Sequence, residues 1–202
     1  MAIEAVVACA ESEQAISRMD GFEARLRALF PAIGMLHPEG GSGDVSLAHV
    51  LQTAALALQA QAGCPVTFAR TTATIDPGVY QVVVEYSEEA VGRQAFEDAQ
   101  RLINAALGQG DFDAEAAIAN LRELDEDERL GPSTGAIVDA AVARDIPFRR
   151  LTRGSLVQFG WGSRQRRIQA AEVDSTSAVA ESIGQDKDLT KRLLHAAGVP
   201  VP

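Results

Sequence analysis

Apolar residues recur along the chain in two rhythms, and each marks a kind of element. Over 47–58, Leu47, Val50, Leu51, Ala54, Ala55 and Leu58 return at intervals of three and four, which predicts a helix with one apolar face. Ser46 stands at its start as a cap and Gly63 at its end as a stop. Residues 2–9 (AIEAVVAC) predict a short strand, and 65–72 and 79–86 predict two more. The last of these, VYQVVVEY, is β-branched and aromatic, and the Asp-Pro-Gly turn before it predicts an antiparallel hairpin, because Pro fixes φ and Gly accepts a positive φ. Helices are predicted over 21–30, capped by Asp20 and stopped by Pro31, over 88–107 with Ala95, Leu102 and Ile103 inward, and over 113–124 with the charged run 125–128 as its solvated exit. The stretch 37–45 has no period and is rich in Gly and Pro, so it predicts a loop.

Gly131-Pro132-Ser133-Thr134-Gly135 punctuates the chain, with Ser133 or Thr134 expected to cap a helix reaching about residue 144. A strand is predicted at 146–151, a hairpin from 156–160 and 167–173, and helices at 176–183 and 187–197. The fold expected is α+β, a mixed or antiparallel sheet packed by helices. The chain stops at GVPVP, where another strand is due, which reads as a truncation.

Charge divides the sequence. Residues 1–130 hold 8 Arg, no Lys and 21 Asp or Glu, a net charge of −13, whereas residues 131–202 carry +3. A body so acidic argues against nucleic acid, which needs a basic footprint. No apolar run approaches the roughly 18 residues of a membrane span, and no basic, apolar leader opens the chain. Cys9 and Cys64 lack metal-site spacing and are expected as buried thiols in a cytoplasmic protein.

The strings LGPSTGAIVDAAVARDIPFRRL (130–151) and LVQFGWGSRQRRIQAAEVDSTSAVAESIGQDKDLTKRLLHAAGVPVP (156–202) resemble the cyanophycin synthetase family, running into its ATP-grasp module. LAHVLQTAALALQAQAG (47–63) and PGVYQVVVEYSEEA (77–90) also resemble that family's N-terminal domain. The resemblance implies an N-terminal domain over 1–155 and the beginning of an ATP-grasp module over 156–202. It implies a parent ligase that polymerises aspartate and arginine, with ATP and magnesium used by downstream ATP-grasp and Mur-ligase-like domains. It also implies cyanophycin as a partner and a possible homo-oligomer. By the resemblance, the ATP-grasp nucleotide lobe and the Mur-ligase-like region are expected beyond Pro202, and no phosphate-binding GxxxxGK[ST] loop occurs here either, so the fragment itself is expected to be non-catalytic and to hold no cofactor. The alternative is a free-standing adaptor, or the remnant of a zinc-peptidase-like domain that trims primers.

That remnant is legible on one helix. The family's HxxEH pattern, two His on one face with Glu as base, falls on His49, Gln52 and Thr53. Gln cannot take a proton from water and a Thr hydroxyl is a poor zinc ligand, so the site is degenerate and no metal is expected. Ala57 stands where the family tends to have Glu. His49 is then a half-exposed helix residue with a local hydrogen bond, while His37 sits in the Gly-rich loop.

Six arginines form the other candidate: Arg149, Arg150, Arg153, Arg164, Arg166 and Arg167. Alternation places Arg164 and Arg166 on one face and Arg167 on the other. They can meet polymer carboxylates or an acidic neighbour bidentately, or else pair with the chain's own acidic residues. Glu85, Glu88, Glu89 and the run 125–128 are candidates for the opposite contact, with arginine side chains of the polymer.

Overall fold

The β-branched run Val79–Glu85, strand β3, sits at the centre of a three-stranded antiparallel sheet, flanked by β1 (Ala2–Ala8) and β2 (Ala69–Ala73) in the order β1-β3-β2. The structure, a computed structural model, describes residues 1–36, 44–170 and 172–201. His37 and most of the loop expected over 37–45 lie outside the described residues.

Alternation along β3 turns Tyr80, Val82 and Val84 to one face, where Val82 and Val84 are buried. Opposite them in register lie Val7, Ala5 and Ile3 on β1, and Ala73, Thr71 and Ala69 on β2. Against this face pack the helices α2 (Leu47–Ala62) and α3 (Glu89–Ala106); α1 (Phe22–Leu29) packs on α3 and α4 (Ala114–Glu128) on both α2 and α3, and the four share one core. The predicted stripe of α2 is the buried one, and Leu58 is wholly enclosed. The β2–β3 turn depends on Gly78, whose φ is +76° and where a Cβ would stand 2.9 Å from the Cys9 carbonyl oxygen. Gly92 on α3 is needed for a different reason: its missing Cβ would lie 2.6 Å from the Tyr86 Cβ.

The chain divides into two compact units, Met1–Arg129 and Leu130–Pro202. In the second, helix α5 (Pro132–Val142) packs on a four-stranded antiparallel sheet of β4 (Phe148–Arg150), β5 (Leu156–Phe159), β6 (Arg166–Gln169) and β7 (Glu172–Val173). Its small core joins Val138, Val157 and Ile168, with Leu130 and Phe159 against them. Two amphipathic helices follow, α6 (Ala178–Gln185) and α7 (Lys187–Ala196), capped by Ser177 and Asp186. The protein is therefore α+β, and every strand pairing among the described residues is antiparallel.

Several local expectations change. The N-cap of α1 is Gly21 at φ +63°, not Asp20, whose carbonyl instead accepts from Arg25 Nη1 at 3.1 Å. Helix α4 runs through the charged residues 125–128 to Glu128, because Asp125 accepts the Arg129 N–H and the Ser87 hydroxyl and so keeps its turn ordered. Neither Ser133 nor Thr134 caps α5. Gly131 takes that place with Pro132 in the first turn, and the buried Thr134 donates its hydroxyl to the Ala170 carbonyl at 3.2 Å. The β4–β5 hairpin is closed by Leu151 N–H to Leu156 C=O at 2.9 Å, and the division into compact units falls between Arg129 and Leu130.

Candidate functional site

Helix α2 carries the residues that the zinc-peptidase pattern selects, and each is engaged elsewhere. Ser46, wholly buried at the N-cap, places its hydroxyl 2.8 Å from His49 Nδ1 and donates its backbone N–H to the same nitrogen at 3.3 Å. His49 thus fills the third helical position that Glu or Gln takes in a capping box. Accepting at Nδ1 puts the proton of the neutral ring on Nε2. The ring packs edge-on to Tyr80, centroids 5.7 Å apart. Gln52 Oε1 accepts from the Thr71 hydroxyl on β2 at 2.8 Å, and the Thr53 hydroxyl donates to the His49 carbonyl of its own helix at 2.9 Å. With an amide, a hydroxyl bound to backbone and one imidazole, the donor set does not fit zinc. Among the described residues no group of three His, Cys, Asp or Glu side chains gathers to hold a metal.

Burial lowers the pKa of His49 below the ordinary histidine value. The charged form is therefore disfavoured in the fold. As pH falls below about 6.5 the unfolded chain takes up this proton first, so the contribution is complete above that pH and is lost towards acid. His49→Gln, which keeps an acceptor at this helical position, is expected to flatten the fall in melting temperature between pH 7 and 5. Melting curves of the two proteins across that range check it, and parallel profiles would refute it.

Cys9 and Cys64 are buried free thiols, as expected. Burial raises the pKa of each; for Cys9, Glu13 adds to this while the Ala48 backbone and the Ser46 hydroxyl oppose it. Both are poor nucleophiles at neutral pH.

The six arginines do not form one site. Cross-strand register lines up Arg149, Gln158 and Arg167 on one face of the second sheet, with Arg167 Nε 3.4 Å from Gln158 Oε1. Arg150 and Arg166 point to the other face, in register with Val157 and Phe159. Arg150 is turned onto its own hairpin, donating to the Gly154 carbonyl at 3.0 Å and to the Arg153 carbonyl. Arg164 ends a 3-10 turn, Gly162–Arg164, so strand alternation does not reach it. What the structure brings together is the pair Arg149 and Arg167, both exposed, flanking an amide.

Asp98 was not anticipated. It is wholly buried on α3, where Oδ1 accepts from Gln94 Nε2 at 3.1 Å and from Arg101, while Oδ2 has no hydrogen-bond partner among the described residues. The signal was present: Val91, Ala95, Asp98 and Leu102 recur at helical spacing, which puts a carboxylate on the inward face.

The profile of the cyanophycin synthase-like N-terminal domain matches residues 5–108, from the middle of β1 to the end of α3, and includes all of the α2 site. The chain belongs to that family. Among its relatives are cyanophycin synthetases of Trichormus variabilis and Nostoc sp., each 42% identical over 159 residues, and that of Geminocystis herdmanii, 40% identical over the same length. The aligned segment is 77% of this chain but 18% of the relative, in its N-terminal part. The cyanophycin synthetase relatives are thus several times longer than this chain. No described helix is long and apolar enough to cross a membrane.

Proposed function

We propose that this chain is the N-terminal segment of a cyanophycin synthetase, an ATP-dependent ligase that polymerises aspartate and arginine in the cytoplasm. In this reading the segment holds the polymer and performs no chemistry. Residues from about 156 begin the ATP-grasp module, and ATP and magnesium serve domains downstream. The observation that carries the reading is the 42% identity over 159 residues confined to one end of much longer synthetases. The site geometry agrees with it. On α2 the positions of a peptidase base and second ligand are tied up as Gln52–Thr71 and Thr53–His49 bonds, so the helix supports packing rather than hydrolysis. On the second sheet Arg149 and Arg167 present two guanidinium groups in a cross-strand row, and a guanidinium can meet a carboxylate bidentately.

Retention on cyanophycin granules tests it. The chain is expected to co-sediment with granules at low salt and to be released as salt screens the contact. The double variant Arg149→Gln, Arg167→Gln is expected to lose most of that retention. Absence of co-sedimentation at low salt would overturn the polymer-holding reading.

A further inference from the structure

Strand β1 lies at the edge of its sheet and pairs with β3 alone. The Cys9 N–H donates to the Gly78 carbonyl at 2.8 Å, and the Tyr86 N–H to the Met1 carbonyl at 3.1 Å, so the odd-numbered residues turn their peptide groups towards β3. By alternation the N–H and C=O groups of Ala2, Glu4, Val6 and Ala8 face outward, and no described strand takes them up. Edge strands are commonly blunted by Lys, Pro or a bulge. The sequence AIEAVVA has no Lys or Pro and pairs without interruption from Ala2 to Ala8.

At the C-terminal end of this edge lies a cleft of about 260 Å³, lined among others by Val7, Ala8, Glu13, Leu51, Gln100 and Ile103. It is smaller than the pockets of roughly 300 Å³ and upward that enclose whole small-molecule ligands, and suits one long side chain. Its other walls are aliphatic or amide apart from Cys9, and Glu13 supplies the charge. Glu13 Oε2 accepts from the Ala10 N–H at 2.8 Å, which fixes the carboxylate and leaves Oε1 for an incoming donor. The surrounding field has the same sign, since residues 1–130 carry a net charge of −13.

We propose that the outer edge of β1 receives an extended cationic peptide as a fourth strand, with one of its arginine or lysine side chains laid in the cleft against Glu13. Main-chain bonds to Glu4, Val6 and Ala8 supply affinity, and the cleft supplies register and charge selectivity. The proposal goes beyond the polymer reading and stands apart from it, because it concerns the other unit and any extended chain with basic side chains.

The test uses the full 202-residue chain and an acetylated, amidated hexapeptide alternating valine and arginine, followed by backbone amide NMR. Shifts are expected at Glu4, Val6, Ala8 and Glu13, with none from the matching valine–glutamate peptide. Val6→Pro removes an outward N–H without touching the β3 ladder, and Glu13→Gln removes the charge while keeping an acceptor for Ala10. Each is expected to weaken binding about tenfold, a change of about 1.4 kcal/mol. Should Val6→Pro fail to fold, Glu13→Gln alone decides. Unchanged affinity in Glu13→Gln, shifts confined to other surfaces, or sedimentation showing that β1 edges pair two copies of the chain would each overturn it. Granule retention is read separately, so either idea can fail without the other.

Discussion

Leu58→Ala is expected to lower the stability of Met1–Arg129 by about 3–5 kcal/mol, the upper range for a leucine removed from a core that cannot close around the gap. Leu58 is wholly buried on α2, the helix that packs against α3, α4, β2 and β3, so the cavity is walled by elements fixed to one another on several sides. Total stabilities of small domains are about 5–15 kcal/mol, so this single change consumes a large part of the whole. Urea unfolding read through tyrosine checks it, because Tyr80 and Tyr86, the two tyrosines of the chain, both lie in this unit, whereas the one tryptophan, Trp161, reports the other. A loss under about 1 kcal/mol would mean that the site collapses freely and that α2 is not the centre of the core.

Gly92→Ala should run against the usual rule. In an exposed helix the change gains about 1 kcal/mol, since alanine restricts the unfolded chain and glycine is the poorer helix former. Here the new methyl would stand 2.6 Å from the Tyr86 Cβ, an atom fixed to the backbone that no rotamer change can move. Either the start of α3 or the end of β3 must shift. Overpacking of this kind costs about 1–3 kcal/mol, so a net loss of about 1–2 kcal/mol is expected. A rise in the urea midpoint would show that the helix start yields easily, and Gly92→Ser, with the same Cβ, should then be tolerated as well.

How much of this was legible depends on whether a feature is written in a local period. The buried stripe of α2 and the β2–β3 hairpin were, because spacing and a Pro-Gly turn specify them without reference to distant residues. The family resemblance was legible in the same way, since it concerns residue types at fixed intervals. What Gln52 and Thr134 do instead was not. Their partners, Thr71 and Ala170, are 19 and 36 residues away, and only the folded chain brings them together. Where the six arginines sit was not legible either. Strand alternation was extended to Arg164, but the chain there makes a 3-10 turn, and the pairing that matters, Arg149 with Arg167 across Gln158, follows from register between three strands. Asp20 lost its capping place to Gly21 because a left-handed φ at that position favours the residue without a Cβ.

The buried carboxylate on α3 sets an order in which two positions of this chain can change over generations. Arg101 is 63% exposed, yet it supplies the cation for Asp98, which is 0% exposed. A lineage that replaced Arg101 first would pass through a protein with an enclosed negative charge and only the Gln94 amide beside it, and breaking a buried pair from one side is the costly direction. A lineage that exchanged Asp98 for an apolar residue of similar size would meet no such barrier, and Arg101 would then be free to drift. Sequence comparison within the family should therefore find homologues with an apolar residue at position 98 and any residue at 101, but few with Asp98 and no base at 101. A solvent-facing arginine, ordinarily among the most replaceable residues of a protein, is here held in place by its neighbour's history.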